Sequence, residues 1–207
     1  MHFFSHSQLL AALKTYLIWI TRNDKVAVEN LKLIVDITLP VIHSAVPVKV
    51  SNSAAHLLLA LSNLTCAPNL MLLADVAQFI NVAPNLKFRD NQTTFVTYSA
   101  ITNLLLKPWP DCSLDSANHR NYLTGVFFDG LTWTFRDLSS SDNENRVRQV
   151  VEGVLPALSH IVDFSKDLPM ASKKKLFLAI KSTIEHAVIL FPAYAKNSEI
   201  STFVLIF

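Results

Sequence analysis

Glycine is scarce in this chain: Gly125, Gly130 and Gly153 are the three it has among 207 residues. Glycine supplies the positive-φ positions that tight hairpins and phosphate-cradling loops need, so a hairpin-rich sheet and a nucleotide-binding loop are both poorly served. Cysteine is nearly as rare. Cys66 and Cys112 cannot build a disulfide framework and lack the spacing of a zinc site, so they are expected to be structural thiols in a reducing, intracellular compartment. Two glycosylation sequons, Asn63-Leu64-Thr65 and Asn91-Gln92-Thr93, would permit a secreted reading, but sequons of this kind arise by chance and carry little weight. An excess of one charge is also missing, because 18 Lys and Arg stand against 16 Asp and Glu for a net charge of +2. That balance gives no basic field for a nucleic acid, and none is expected as a partner. No run of about 18 uninterrupted apolar residues occurs, and Lys14 breaks the best candidate, so a membrane-spanning helix is not expected. The opening MHFFSHSQLLAALKTYLIWI has no Lys or Arg ahead of its apolar part and no small-residue cleavage pattern, which argues against a signal peptide.

What the chain does have is apolar residues, 51% of it, at helical spacing. Leu9, Leu10, Leu13, Leu17 and Ile20 predict a helix over 3–22. A second, over 24–44, carries Val28, Leu31, Ile34, Val35, Thr38 and Ile42 on one face. Leu33, Ile37 and Val41 form another strip, as if the helix were covered on two sides. Further helices are predicted at 48–66, from Pro68 to 81, at 91–107, 116–138, 144–165 and 171–192, with a last one beginning near Asn197. Pro84 marks a connection over 82–91, Pro108 and Pro110 end the helix before them, and the polar run SSSDNEN at 139–145 is a break.

The chain also repeats itself. ALSNLTCAP at 60–68 returns as AITNLLLKP at 100–108, with Asn63 over Asn103 and Pro68 over Pro108 at an offset of 40. VDITLPVI at 35–42 is echoed by VEGVLPAL at 151–158, an offset of 116, close to three such periods. Both echoes predict helices in corresponding repeat positions, with Pro40 and Pro156 as kinks. The expected fold class is therefore all-α, a HEAT/armadillo-like α-solenoid of antiparallel helix pairs, in one segment of about four to five pairs over residues 1–207. Apolar sequence at both ends, STFVLIF among it, reads as the interior of a longer superhelix.

Several of these stretches go beyond a generic repeat. AITNLLLKPWP, Asn118-His119, the polar run before Val150–Val162, ILFPAYAKNSEI at 189–200 with the following Phe203–Phe207, and SNSAAHLLLALSNLTCAPNLML at 51–72 resemble, in order and spacing, an internal region of a karyopherin-β nuclear export receptor. The resemblance covers most of the chain. It implies a segment of a HEAT-repeat exportin that moves between nucleus and cytoplasm and carries protein cargo, with profilin-bound actin as the cargo implied. Ran-GTP would be bound through a part N-terminal to this chain, since nothing here matches a Ran-binding signature. Another kind of HEAT scaffold or adaptor for protein–protein interaction fits the period alone equally well.

Candidate chemistry is thin. His160 and Asp163 share a helix face but lack a second ligand pair, and Ser, His and Asp occur without any recognisable catalytic setting, so no enzyme is expected. No catalytic, cofactor-binding or metal residue is assigned, no cofactor is expected, and no residue is singled out for cargo contact. Lys173-Lys174-Lys175 behind Ser172 places positive charge at a helix start, where the dipole disfavours it, although such a run is usually a solvated face. Trp109 is expected to pack between repeats rather than anchor a partner.

Overall fold

The computed structural model describes residues 5–22, 28–64, 67–88, 90–106, 114–138, 146–147 and 150–154, with single positions at 174, 177, 178, 181, 182 and 185. Their regular structure is helical throughout, and no strand occurs among the described residues. The elements are α1 (His6–Arg22), α2 (Val28–Ile42), α3 (Val48–Ser62), a single turn α4 (Ala67–Leu70), α5 (Ala74–Val82), a 3₁₀ turn (Ala83–Asn85), α6 (Asn91–Leu106), α7 (Leu114–Leu138) and a π-helical turn (Val150–Val154).

Local chemistry fixes several of these boundaries. α1 begins at His6 because Ser5 and Gln8 form a capping box: the Gln8 N–H donates to Ser5 Oγ at 3.3 Å, and the Ser5 N–H to Gln8 Oε1 at 2.9 Å. α6 is started by Asp90, whose carboxylate accepts from the Thr93 N–H at 2.8 Å and the Thr93 hydroxyl at 2.7 Å. At its other end the Arg120 side chain, from α7, donates to the Leu105 carbonyl, one of the last-turn oxygens that the helix leaves without a donor.

The helices stack in two rows. α1, α3 and α6 lie side by side with the π-helical turn packed on α6, while α2, α5 and α7 form the second row. α2 also packs on α3, and α7 also touches α6, so the two rows meet through these consecutive pairs while like helices stack along each row. This is an all-α, HEAT/armadillo-like α-solenoid. One contiguous core runs along it, from Leu13 and Ile20 through Leu31, Ile34, Leu57, Leu58 and Leu61 to Ile101, Phe127 and Phe135. Each such side chain contributes about 1.5–3 kcal/mol by leaving water.

Four expectations need correction. The third helix stops at Ser62 rather than 66. The helix expected from Pro68 to 81 is two pieces, because burial at Ala67, Leu70 and Met71 would project to Ala74 and Gln78 in a continuous helix, whereas Val76, Phe79, Ile80 and Ala83 are the buried ones. The chain changes phase through Leu72 and Leu73, whose N–H groups donate to carbonyls three residues back. On α2, Leu33 is 52% exposed and Ile37 and Val41 are half-buried, so the second strip is not covered as the first is. Finally, Val35–Ile42 sits in the α2 row while Val150–Val154 packs on α6 in the other, so the second echo does not mark equivalent positions. Cys66, Trp109, Cys112, the 139–145 run, Pro156, His160, Asp163, Lys173, Lys175 and the 197–207 helix lie outside the described residues.

Candidate protein-binding surface

The first echo has a physical counterpart. Asn63 and Asn103 stand at equivalent ends of α3 and α6, and Asn103 Nδ2 lies 3.4 Å from both Asn63 Oδ1 and Ser62 Oγ. Asn63 in turn donates to the Leu59 carbonyl at 2.9 Å, which anchors the acceptor amide to its own helix. At the opposite end of α6 the Asn91 side chain donates to Glu152 on the π-helical turn. Amides thus link like helices along the row, where an apolar contact alone would leave their sliding poorly resisted.

Across the second row the surface changes character. Between α2 and α5 runs an open groove of about 530 Å³. Val35 and Leu39 on α2 and Phe79 on α5 are core side chains that form its buried floor, and Val82 is the exposed one of its apolar residues on α5. Asp36 and Asp75 stand at its edges, both exposed, and no Lys or Arg lines it. Neither carboxylate makes an ion pair or hydrogen bond among the described residues; Lys32, one turn before Asp36, leaves it free. His43 closes one end, its ring 6.2 Å from that of Phe79. Pro40 has no N–H, so the Asp36 carbonyl, four residues back, loses its usual helical donor.

A smaller cavity of about 280 Å³ lies where the 3₁₀ turn, α6 and α7 meet, and its charged lining is basic, Lys87 and Arg146. Arg146 pairs with Asp137 at 3.0 Å. Tyr98 reaches this cavity from the core, donating its hydroxyl to the Ala83 carbonyl at 3.2 Å, and burial pushes that hydroxyl far above the usual tyrosine range. On the exposed side of α7, Tyr122 is 66% and Trp133 60% accessible, whereas Phe127, Leu131 and Phe135 are buried. Composition alone does not separate the two groups, since all five are large apolar or aromatic side chains.

No group of three or more His, Cys, Asp or Glu comes together among the described residues. No described helix is long and apolar enough to cross a membrane. Of the lysine run, Lys174 is described and is exposed. The groove was not anticipated, because its two carboxylates come from different helices and neither stands in a motif.

Comparison with known proteins fits this architecture. Over 221 residues the chain is 25% identical to Exportin-6 of Danio rerio, over 227 residues 24% identical to Exportin-6 of Homo sapiens, and over 226 residues 25% identical to Exportin-6-A of Xenopus laevis. Each match takes in 98% of this chain. The relationship is exportin-like. The chain spans about a fifth of the length of these relatives. No protein-family profile and no solved structure matches it.

Proposed function

We propose that this chain is a segment of a nuclear export receptor, one stretch of a longer superhelix that carries protein cargo between nucleus and cytoplasm. The cargo proposed is profilin-bound actin, held together with Ran-GTP, and the segment acts by binding, with no catalytic step of its own. The observation that carries the reading is similarity to exportin relatives along 98% of the chain, on a solenoid whose repeated Asn63 and Asn103 meet across neighbouring helices. A two-row solenoid suits the task because each helix pair contacts its neighbours alone, so small changes at each junction add up to a change of curvature around a cargo.

The test is capture of profilin-bound actin on the immobilised full-length protein, with and without Ran-GTP. Capture should be tightened by Ran-GTP by roughly 5- to 150-fold, the range of a coupling of 1–3 kcal/mol. No capture under either condition overturns the reading. Capture indifferent to Ran-GTP would move the protein to the class of HEAT scaffolds.

A further inference from the structure

We propose that the outward face of the second row, formed by α2, α5 and α7, is a docking surface for a partner protein whose own contact surface is basic. Charge is divided between the rows. α1, α3 and α6 contain Lys14, Arg22 and Lys49 and no Asp or Glu, and the carboxylates beside that row, Asp90 and Glu152, already accept hydrogen bonds from Thr93 and Asn91. The exposed carboxylates Glu29, Asp36, Asp75 and Asp129 all stand on the second row, and none makes an ion pair or hydrogen bond among the described residues. Lys32 and Arg136 are exposed on the same row and offset these in part, so a net negative face sits on a chain whose net charge is +2.

The apolar members of this face are open to solvent. Tyr122, Trp133 and Leu33 are each more than half exposed, and Val82 is 38% exposed. Helical phase explains why. On α2, Glu29, Leu33, Asp36 and Pro40 follow one another at spacings of three and four on the side away from buried Leu31 and Ile34, and on α7 Tyr122, Gly125, Asp129 and Trp133 do the same opposite Phe127 and Leu131. Tyr122 and Trp133 are separated by about 16.5 Å along α7. Asp129 is one turn before Trp133, and one turn earlier, at Gly125, a Cβ would meet nothing within 4 Å, so the space between the two rings is open. An Arg or Lys entering there lays its stem on the Trp133 ring and its charged head on the Asp129 carboxylate. Exposed tyrosine and tryptophan are the side chains that most often anchor a partner. A second copy of the chain does not suit the face, because a symmetric contact would set these carboxylates against one another, and an acidic partner meets the same repulsion.

Two labelled 12-residue peptides, one of Arg, Leu and Ser in equal parts and one with Glu in place of Arg, test this on the full-length protein by fluorescence anisotropy. The Arg peptide should bind at least tenfold more tightly. Tyr122→Ala with Trp133→Ala should weaken it roughly tenfold. Asp36→Asn, Asp75→Asn and Asp129→Asn together should weaken it roughly three- to tenfold and flatten its dependence on salt. Ile18→Ser, an exposed apolar side chain on α1 in the row without carboxylates, should leave it unchanged. All the substituted side chains are exposed, so the variants should keep their fold, which circular dichroism checks. A photo-crosslinking side chain in place of Tyr122 should capture the Arg peptide, and one in place of the exposed Thr15 on α1 should not. Equal binding of the two peptides, indifference to the aromatic pair, or capture at Thr15 rather than Tyr122 overturns the proposal. Loss of binding in the aspartate variant alone also overturns it, since that is general attraction to negative charge without a docking surface. The transport reading is judged separately by the actin capture described above, which uses neither peptide.

Discussion

Buried hydroxyls divide the threonines of this chain into two kinds. Thr134 donates to the Pro84 carbonyl, tying α7 to the 3₁₀ turn at 3.0 Å, and Thr38 and Thr132 bond back to carbonyls four residues earlier. Thr97, also fully buried on α6, has a hydroxyl with no partner. Burying an unsatisfied polar group costs about 1–3 kcal/mol, so Thr97→Val should raise stability by about 1 kcal/mol, whereas Thr134→Val should lower it by a similar amount. Calorimetry on the two variants gives shifts of opposite sign, and a loss of stability in Thr97→Val would contradict this account. Sequence could not have told these residues apart. TTFVT at 93–97 puts three threonines on one helix at similar burial, and whether each hydroxyl finds an acceptor depends on carbonyls that other side chains and turns supply.

Among the helices, α7 shows how one residue type takes opposite roles within an element. Both its glycines look like weak points in the sequence. At Gly125 a Cβ would meet nothing within 4 Å, so Gly125→Ala should add about 0.5–1 kcal/mol by restricting the unfolded chain and improving helix propensity. At Gly130 the same atom would lie 2.9 Å from Cγ of Pro84, a buried ring held in the 3₁₀ turn. Gly130→Ala should therefore cost about 1–2 kcal/mol even after its gain in helix propensity. Thermal unfolding of the pair checks this, and two shifts of the same sign would refute it. Element positions were legible where local signals exist: the 60–68 and 100–108 echo does mark the stacked α3 and α6, since its asparagines bond to each other across the row. The second echo misled over its described part, Val151–Val154, because an apolar residue followed by an acidic one is common on helices, and nothing in it names the row. The break between α4 and α5 was missed for a related reason. Four apolar residues in succession, Leu70 to Leu73, hide a change of phase that the burial of later residues reveals.

At the scale of the molecule, stability in a solenoid follows the number of neighbours each helix has. α3 packs on α1, α2 and α6, and α6 packs on α3, α7 and the π-helical turn, while α1 rests mainly on α3 and buries Leu13 and Ile20 alone. Amide hydrogen exchange should accordingly be slowest in α3 and α6 and markedly faster in α1. Uniform protection along the chain would mean that it unfolds as one block rather than pair by pair. The two-row fold class could be read from periodicity and scarce glycine, but the groove could not, because it depends on how far each helix of one row extends. α5 has nine residues against fifteen in α2 and twenty-five in α7, or about 14 Å beside 22 and 37 Å. A wall with one short brick has a notch beside it. Here the notch is the space next to α5, and a deletion or insertion of a single turn in that helix would widen or close it while leaving the opposite row untouched. Such a change would alter what the surface accepts without altering the arch that holds it.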